Sequence, residues 1–182
     1  MRRIINSTYI TLDGVIANPQ TWPSGRVSDE AGVTIQTELI QSCDALLMGR
    51  RTYEIFSAAW PSRSGDPISD RINSMTKYAV SSTMKTAAWN NTSIISGDPI
   101  DRVKRLKQEH GKDIVQYGFG QLSFALMRHG LIDELRLWVH PFVLGRGGPE
   151  GLLYREAPTT MFNFVGSRSL KNGDVILTYQ PA

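Results

Sequence analysis

Ala45-Leu46-Leu47-Met48-Gly49-Arg50-Arg51-Thr52-Tyr53-Glu54 is the stretch around which the rest of the chain is arranged. ALLM is a short continuous apolar run, the pattern of a buried strand, and it stops at a glycine. Two arginines and a threonine follow, and a helical pattern then sets in at Tyr53, Ile55, Phe56 and Ala59. A strand, a glycine and a helix start bearing cations and a hydroxyl form a layout that holds an anion. The first N–H groups of a helix lack partners, and its dipole adds partial positive charge there. Gly49 lets a phosphate approach the backbone, Thr52 adds a hydroxyl, and Arg50 and Arg51 can fork onto phosphate oxygens. The competing reading is a strand capped by an ordinary turn with solvated arginines.

Working outward, residues 4–12 read as the first strand, closed by Asp13-Gly14, with Val15-Ile16-Ala17 resuming after it. Residues 18–25 hold two prolines, a glycine and Trp22, which predicts a loop that covers something. Ser28 is placed as the N-cap of a helix running to about Ser42, with Asp29 and Glu30 in its first turn. Beyond the central stretch, Asp66-Pro67 starts a short helix to about Met75. Tyr78-Ala79-Val80 is a strand ending in Ser81-Ser82, and residues 93–95 form another. Asp98-Pro99 opens an amphipathic helix, and residues 113–117 make a strand that ends at Gly118-Phe119-Gly120. A helix over 121–129 follows. Residues 135–140 then alternate apolar and polar with a strand's period, and residues 145–158 read as a long loop. Two last strands, 162–170 and 175–179, join across Lys171-Asn172-Gly173-Asp174, an Asn-Gly hairpin signal.

Twenty basic against seventeen acidic residues give a net charge of +3. The basic residues are scattered, and the densest run, Arg102 to Lys107, is the wet face of a helix. Nucleic acid is not an expected partner. The N-terminal run is too short and too polar for a signal sequence or membrane span, so a cytoplasmic protein is expected. Cys43 is the only cysteine and is read as a core residue, while His110, His129 and His140 lie far apart as surface or strand-end residues. No metal site is expected.

The element order implies an α/β protein, one domain over residues 1–182, with a mostly parallel sheet flanked by helices and an antiparallel C-terminal hairpin. Ligands on such sheets bind at the carboxyl ends of the strands. Here those ends are Asp13-Gly14, Gly49 to Thr52, Ser81-Ser82 and Gly118 to Gln121. None is a Walker loop or the GxGxxG fingerprint.

These residues together resemble the dihydrofolate reductase superfamily, and most closely its riboflavin-biosynthesis branch, the C-terminal reductase domain of the bifunctional deaminase-reductase. The matching pieces are Tyr9 to Ala17, Leu47 to Glu54, Val80 to Ser82, Gly118 to Leu122, and Gly130 to Leu137 with Pro141 and Gly145. Five pieces in order span nearly the whole chain. The resemblance implies a dihydrofolate reductase-like three-layer α/β/α fold, NADPH as cofactor and a small-molecule substrate. By it, Gly49, Arg50, Arg51 and Thr52 hold the diphosphate and adenosine 2′-phosphate, with Arg50 on the latter. Ser81 and Ser82 sit by the adenosine half, or serve only as turn formers. Gly118, Phe119, Gly120, Gln121 and Leu122 wrap the diphosphate from the other side, and the backbone at Ile16 and Ala17 faces the nicotinamide.

Two departures stand out. The family pattern has adjacent glycines where Phe119 here separates Gly118 from Gly120, which threatens to narrow the cofactor groove. The helical acid that binds the pterin in dihydrofolate reductases falls on Val33 when counted back without gaps from Gly49. Asp13 is then the nearest acid with a view of the substrate, as a catalytic group or a plain turn former, and Trp22, Tyr53 and Tyr117 are expected as pocket walls. The leading expectation is an NADPH-dependent oxidoreductase transferring hydride to a small heterocyclic or carbonyl-type substrate. Two others stand beside it: 5-amino-6-(5-phosphoribosylamino)uracil reduction, and a non-catalytic NADP-binding protein. The C-terminal strands, with Trp138 and Phe162, offer a homodimer edge or simply core packing.

Overall fold

The structure, a computed structural model, describes residues 1–23, 30–153 and 159–182. Ser28 and Asp29, expected at the first helix start, and Ser24 and Gly25 of the loop lie outside the described residues. In chain order the elements are β1 (Ile4–Thr11), α1 (Glu30–Ser42), β2 (Cys43–Gly49), α2 (Arg50–Ala59), α3 (Pro67–Ser74), β3 (Thr76–Val80) and β4 (Thr92–Ile95). There follow α4 (Pro99–Gln108), β5 (Asp113–Tyr117), α5 (Gln121–Arg128), β6 (Glu134–His140), β7 (Phe162–Ser169) and β8 (Val175–Pro181). All eight strands form one sheet in the order β4-β3-β2-β5-β1-β6-β8-β7. Strands β1 to β6 run parallel; β8 pairs antiparallel with β6, and β7 pairs antiparallel with β8 in the C-terminal hairpin.

The ALLM run is apolar at every position because both faces of β2 are covered. Ala45 and Leu47 pack with Val103 and Leu106 of α4 and Leu126 of α5. Leu46 and Met48 pack with Leu39 and Ile40 of α1 and Ile72 of α3. That places α4 and α5 on one face and α1 and α3 on the other, giving the three-layer α/β/α architecture. Burying a Leu-sized side chain contributes about 1.5–3 kcal/mol, so this central strand anchors both layers.

Local signals set the starts of α3 and α4. Asp66 accepts from the N–H groups of Ile68 (3.1 Å) and Ser69 (3.0 Å), with Pro67 at the first helical position. Asp98 does the same for Ile100 (2.9 Å) ahead of α4. The helix whose pattern sets in at Tyr53 begins earlier, at Arg50, so both arginines sit in the first turn of α2. The hairpin closes as Asn-Gly chemistry dictates. Gly173 takes φ +88°, and Asn172 and Asp174 hydrogen-bond each other across the turn. At the opposite, amino edge of the sheet, charges neutralise one another: Arg2 with Asp44, Arg3 with Glu134 and Lys107 with Asp133.

One buried cation ties the far end of the sheet together. Lys77 on β3 is fully buried, and its ammonium donates to the carbonyls of Asn73 (2.8 Å), Met75 (2.9 Å) and Asn90 (3.3 Å). It also lies 4.5 Å from the centre of the Trp89 ring. Asn73 extends the knot, taking the Trp89 indole N–H and donating to the carbonyls of Trp60 and Arg63.

Candidate functional site

Strands β2 and β5 are neighbours, so the helices that follow them start side by side. A Cβ built on Gly118 would lie 3.7 Å from Thr52 Oγ1, and one built on Gly49 would lie 3.9 Å from the Cβ of Leu122. Gly49, Thr52, Gly118 and Leu122, dispersed over about seventy residues, are therefore one cluster. Neither Gly49 ahead of α2 nor Gly120 ahead of α5 supplies a side-chain cap, whereas α3 and α4 are each capped by an aspartate. The two helices that start beside this cluster thus present uncapped N–H groups, Gln121 and Leu122 among those of α5, toward the same place. Gly118 takes φ +74°, a conformation that favours glycine, and this turns the chain out of β5 into α5. Phe119 does not narrow the groove. Its ring is buried in the core and packs edge-on against Phe124 at 4.9 Å.

Arg50 and Arg51 are both exposed at the start of α2, and Arg50 reaches Glu54 one turn on, at 3.1 Å. Ser81 is buried, and its Oγ accepts from the N–H groups of Thr83 (3.2 Å) and Met84 (3.0 Å), so it shapes the turn after β3; Ser82 is exposed beside it.

At the end of β1 the geometry is different. The Asp13 carboxylate accepts from the Thr11 hydroxyl and from the N–H groups of Leu144 (3.1 Å) and Gly145 (2.8 Å). Those bonds, the Thr11 hydroxyl foremost, hold its pKa down at about 2. Asp13 is an ionised clamp between β1 and the glycine-rich loop, a poor proton donor at neutral pH. The N–H groups of Ile16 (2.8 Å) and Ala17 (3.2 Å) both go to the Gly151 carbonyl, so these donors are already engaged. Trp22 is seated rather than hovering: it is buried, donates to the Ala17 carbonyl (3.0 Å) and packs on His140 and Phe142. Tyr53 belongs to the core, where its hydroxyl accepts from the N–H of Trp89 (3.2 Å).

The α1-facing side of the sheet carries a polar and aromatic group of which the residue pattern singled out only Tyr117 as a pocket wall. Val33 is 44% exposed and points away; the polar α1 side chain turned inward is Gln36, whose Oε1 accepts from the Tyr117 hydroxyl at 3.2 Å. Burial pushes the Tyr117 phenol well above its ordinary value. Beside it on β1 and β6, Tyr9 stacks against Trp138 (5.7 Å) and His140 (4.9 Å). His140 Nδ1 lies 3.1 Å from the buried Asp174 carboxylate. The strand period of residues 135–140 puts Trp138 and His140 on one face, which is the signal that could have found His140. Asp174 arrives only through the β6–β8 pairing. An imidazole beside a carboxylate can deliver a proton near this face. The Cys43 thiol is buried and pushed up to about 11, as befits an inert core residue. Among the described residues, no cluster of His, Cys, Asp and Glu is arranged to hold a metal, and no helix is long and apolar enough to cross a membrane.

Comparison with known proteins agrees with this architecture. The family model for the RibD C-terminal domain matches residues 2–176. The uncharacterized protein YyaP of Bacillus subtilis (strain 168) is 30% identical over 184 residues, covering 98% of this chain and 94% of the relative. The solved structure of a Shewanella sp. PV-4 protein aligns with TM-score 0.71 and 22% identity over 100% of this chain and 99% of that one. The diaminohydroxyphosphoribosylaminopyrimidine deaminase/5-amino-6-(5-phosphoribosylamino)uracil reductase of Thermotoga maritima aligns with TM-score 0.68 and 14% identity. That alignment spans all of this chain and 57% of that one. On this match the chain belongs to the RibD C-terminal domain family, the riboflavin-reductase branch of the dihydrofolate reductase-like fold.

Proposed function

We propose that this protein is an NADPH-dependent reductase that transfers hydride to a small heterocyclic or carbonyl-type substrate. The observation that carries the reading is the pair of uncapped helix starts, α2 and α5, abutting at Gly49, Thr52, Gly118 and Leu122 with Arg50 and Arg51 beside them. Uncapped N–H groups and guanidiniums fit a diphosphate and a 2′-phosphate. NADPH, when bound, supplies the hydride. The chain's own residues then hold the phosphates at α2 and α5, and Tyr9, Gln36, Tyr117 and Trp138 line the face under α1 for the substrate. His140, oriented by Asp174, is the proton source best placed on that face. Titration with NADPH, NADH and FAD, read by thermal shift and calorimetry and followed by turnover assays, tests this reading. NADPH is expected to bind most tightly. NADPH binding without oxidation across a broad substrate panel would favour the non-catalytic alternative.

The substrate class follows from the inner face of α1. Dihydrofolate reduction needs a carboxylate that favours ring protonation, and Gln36, a neutral amide, faces Tyr117 where that acid would act. Negligible dihydrofolate turnover with NADPH is expected, and 5-amino-6-(5-phosphoribosylamino)uracil is the first substrate to assay. Robust reduction of dihydrofolate would overturn the assignment.

The sheet's outer strand supports a homodimer. β7 is the last strand on its side, and it exposes Phe164 and Val165 with Met161 just before it. A free edge can pair with its own copy across a two-fold axis. Light scattering is expected to show a dimer that Phe164→Lys converts to monomer; a monomeric wild type would dispose of the idea.

A further inference from the structure

Asn6 sits in the middle of β1 with no exposed surface, on the side of the sheet that faces α5. A buried asparagine disfavours strand formation, and leaving it without partners would be costly. Here it is fully bonded. Its amide nitrogen donates one proton to Gln116 Oε1 (2.9 Å) and the other to the Gly118 carbonyl (2.9 Å). Its oxygen accepts from the Thr8 hydroxyl (2.8 Å). Ser123, also buried, lies 3.1 Å from Gln116 Oε1 and 3.2 Å from the Gly118 carbonyl, so its one hydroxyl proton serves either.

This network of side chains from β1, β5 and α5 grips one backbone group, the carbonyl of Gly118. The peptide that follows is planar and trans, so its C=O and N–H point in opposite directions. With the Gly118 carbonyl drawn inward, the N–H of Phe119 is turned away from the network, toward the edge where α5 starts. Gly118 at φ +74° leaves that peptide free to choose, and Asn6 and Ser123 make the choice.

We propose that Asn6 is a positioning residue for the dinucleotide's diphosphate, holding the Gly118–Phe119 peptide in the orientation that adds its N–H to those of the α5 start. The inference rests on the NADPH reading above. It also accounts for a polar side chain in the central strand, where an apolar one would pack without any such network.

The test compares two ligands. NADPH reaches both helix starts, whereas adenosine 2′-phosphate carries no diphosphate and engages only the α2 side. Calorimetric titrations are run on wild type, Asn6→Leu and Ser123→Ala, with unfolding followed for each. Asn6→Leu is expected to weaken NADPH about tenfold or more, and Ser123→Ala by a smaller factor, with adenosine 2′-phosphate unchanged in both. Equal losses for both ligands would show a general effect on the fold and overturn the proposal, as would no loss of NADPH in either variant. If Asn6→Leu does not fold, the same two-ligand comparison on Ser123→Ala decides. Wild type is measured first, so a failure to bind NADPH at all is seen separately. It removes the functional reading and this inference with it.

Discussion

Replacing Lys77 by methionine is expected to lower the unfolding free energy by about 2–3 kcal/mol, a large share of the ~5–15 kcal/mol typical of a domain. Three carbonyls, of Asn73, Met75 and Asn90, would lose their donor, and the Trp89 ring its cation. Each buried carbonyl left unbonded costs about 1 kcal/mol or more, and removing a desolvated charge offsets part of the total. A pH signature accompanies the change. Burial lowers the Lys77 pKa from 10.5 to about 8, so the folded state gives up this proton more readily than the unfolded chain. Between those two values the unfolded chain binds more protons, and stability from this group rises with pH; below about 8 it lies flat at its minimum. Urea unfolding of wild type and Lys77→Met, run from neutral pH to beyond the upper value, is the measurement. The difference between the two proteins is expected to grow with pH in that window. An unchanged midpoint at neutral pH would mean that the Asn73–Trp89 knot holds without the cation.

The second large effect concerns Arg50 and Arg51. Two cations in the first turn of α2 oppose the helix dipole, at a cost of about 0.3–1 kcal/mol each. The Arg50–Glu54 pair recovers little, since its side chains are 50% and 52% exposed. In the free protein the fold gains nothing from this arrangement, and a bound anion reverses its sign. Arg50→Ala/Arg51→Ala is therefore expected to leave the apo protein as stable as wild type or slightly more so. The same variant should weaken NADPH about 100-fold or more, because a charge-assisted bond is worth roughly 1.5–3 kcal/mol and two are removed. NADH, lacking the 2′-phosphate, should weaken by far less. Calorimetry with both cofactors, and thermal unfolding without either, separates these effects. Equal wild-type affinities for NADPH and NADH would remove the basis of the assignment.

Some of this molecule is legible residue by residue, and the reason is local chemistry. An apolar run of four announces a strand covered on both faces, and β2 is that strand. Asp-Pro at two helix starts and Asn-Gly in the hairpin act within three or four residues, so Asp66, Asp98 and Gly173 do what their neighbours dictate. Gly118 and Gly120 mark the end of β5 for the same reason. Short-range physics fixes the elements, and with their order it implies the parallel sheet and its carboxyl edge.

What the tertiary structure alone decided is where individual side chains face and what they meet. Counting back from Gly49 puts Val33 in the acid's place, but packing rotates α1 so that Gln36 turns inward and Val33 meets solvent. A helix's rotation about its axis depends on the surface beneath it, which no spacing reveals. Asp13 is paired in sequence with Gly14, yet its carboxylate holds backbone more than 130 residues away. His140 and Asp174 look like isolated strand-end and turn residues until β8 returns antiparallel beside β6. Asn6 gives no local signal of its role, because its partners Gln116 and Gly118 lie in and just after β5, which follows three other strands in the chain yet sits directly beside β1. Elements follow from contacts a few residues apart, whereas the candidate site is made of contacts tens to more than a hundred residues apart. Those contacts exist only after the chain has paid the entropy of closing its long loops.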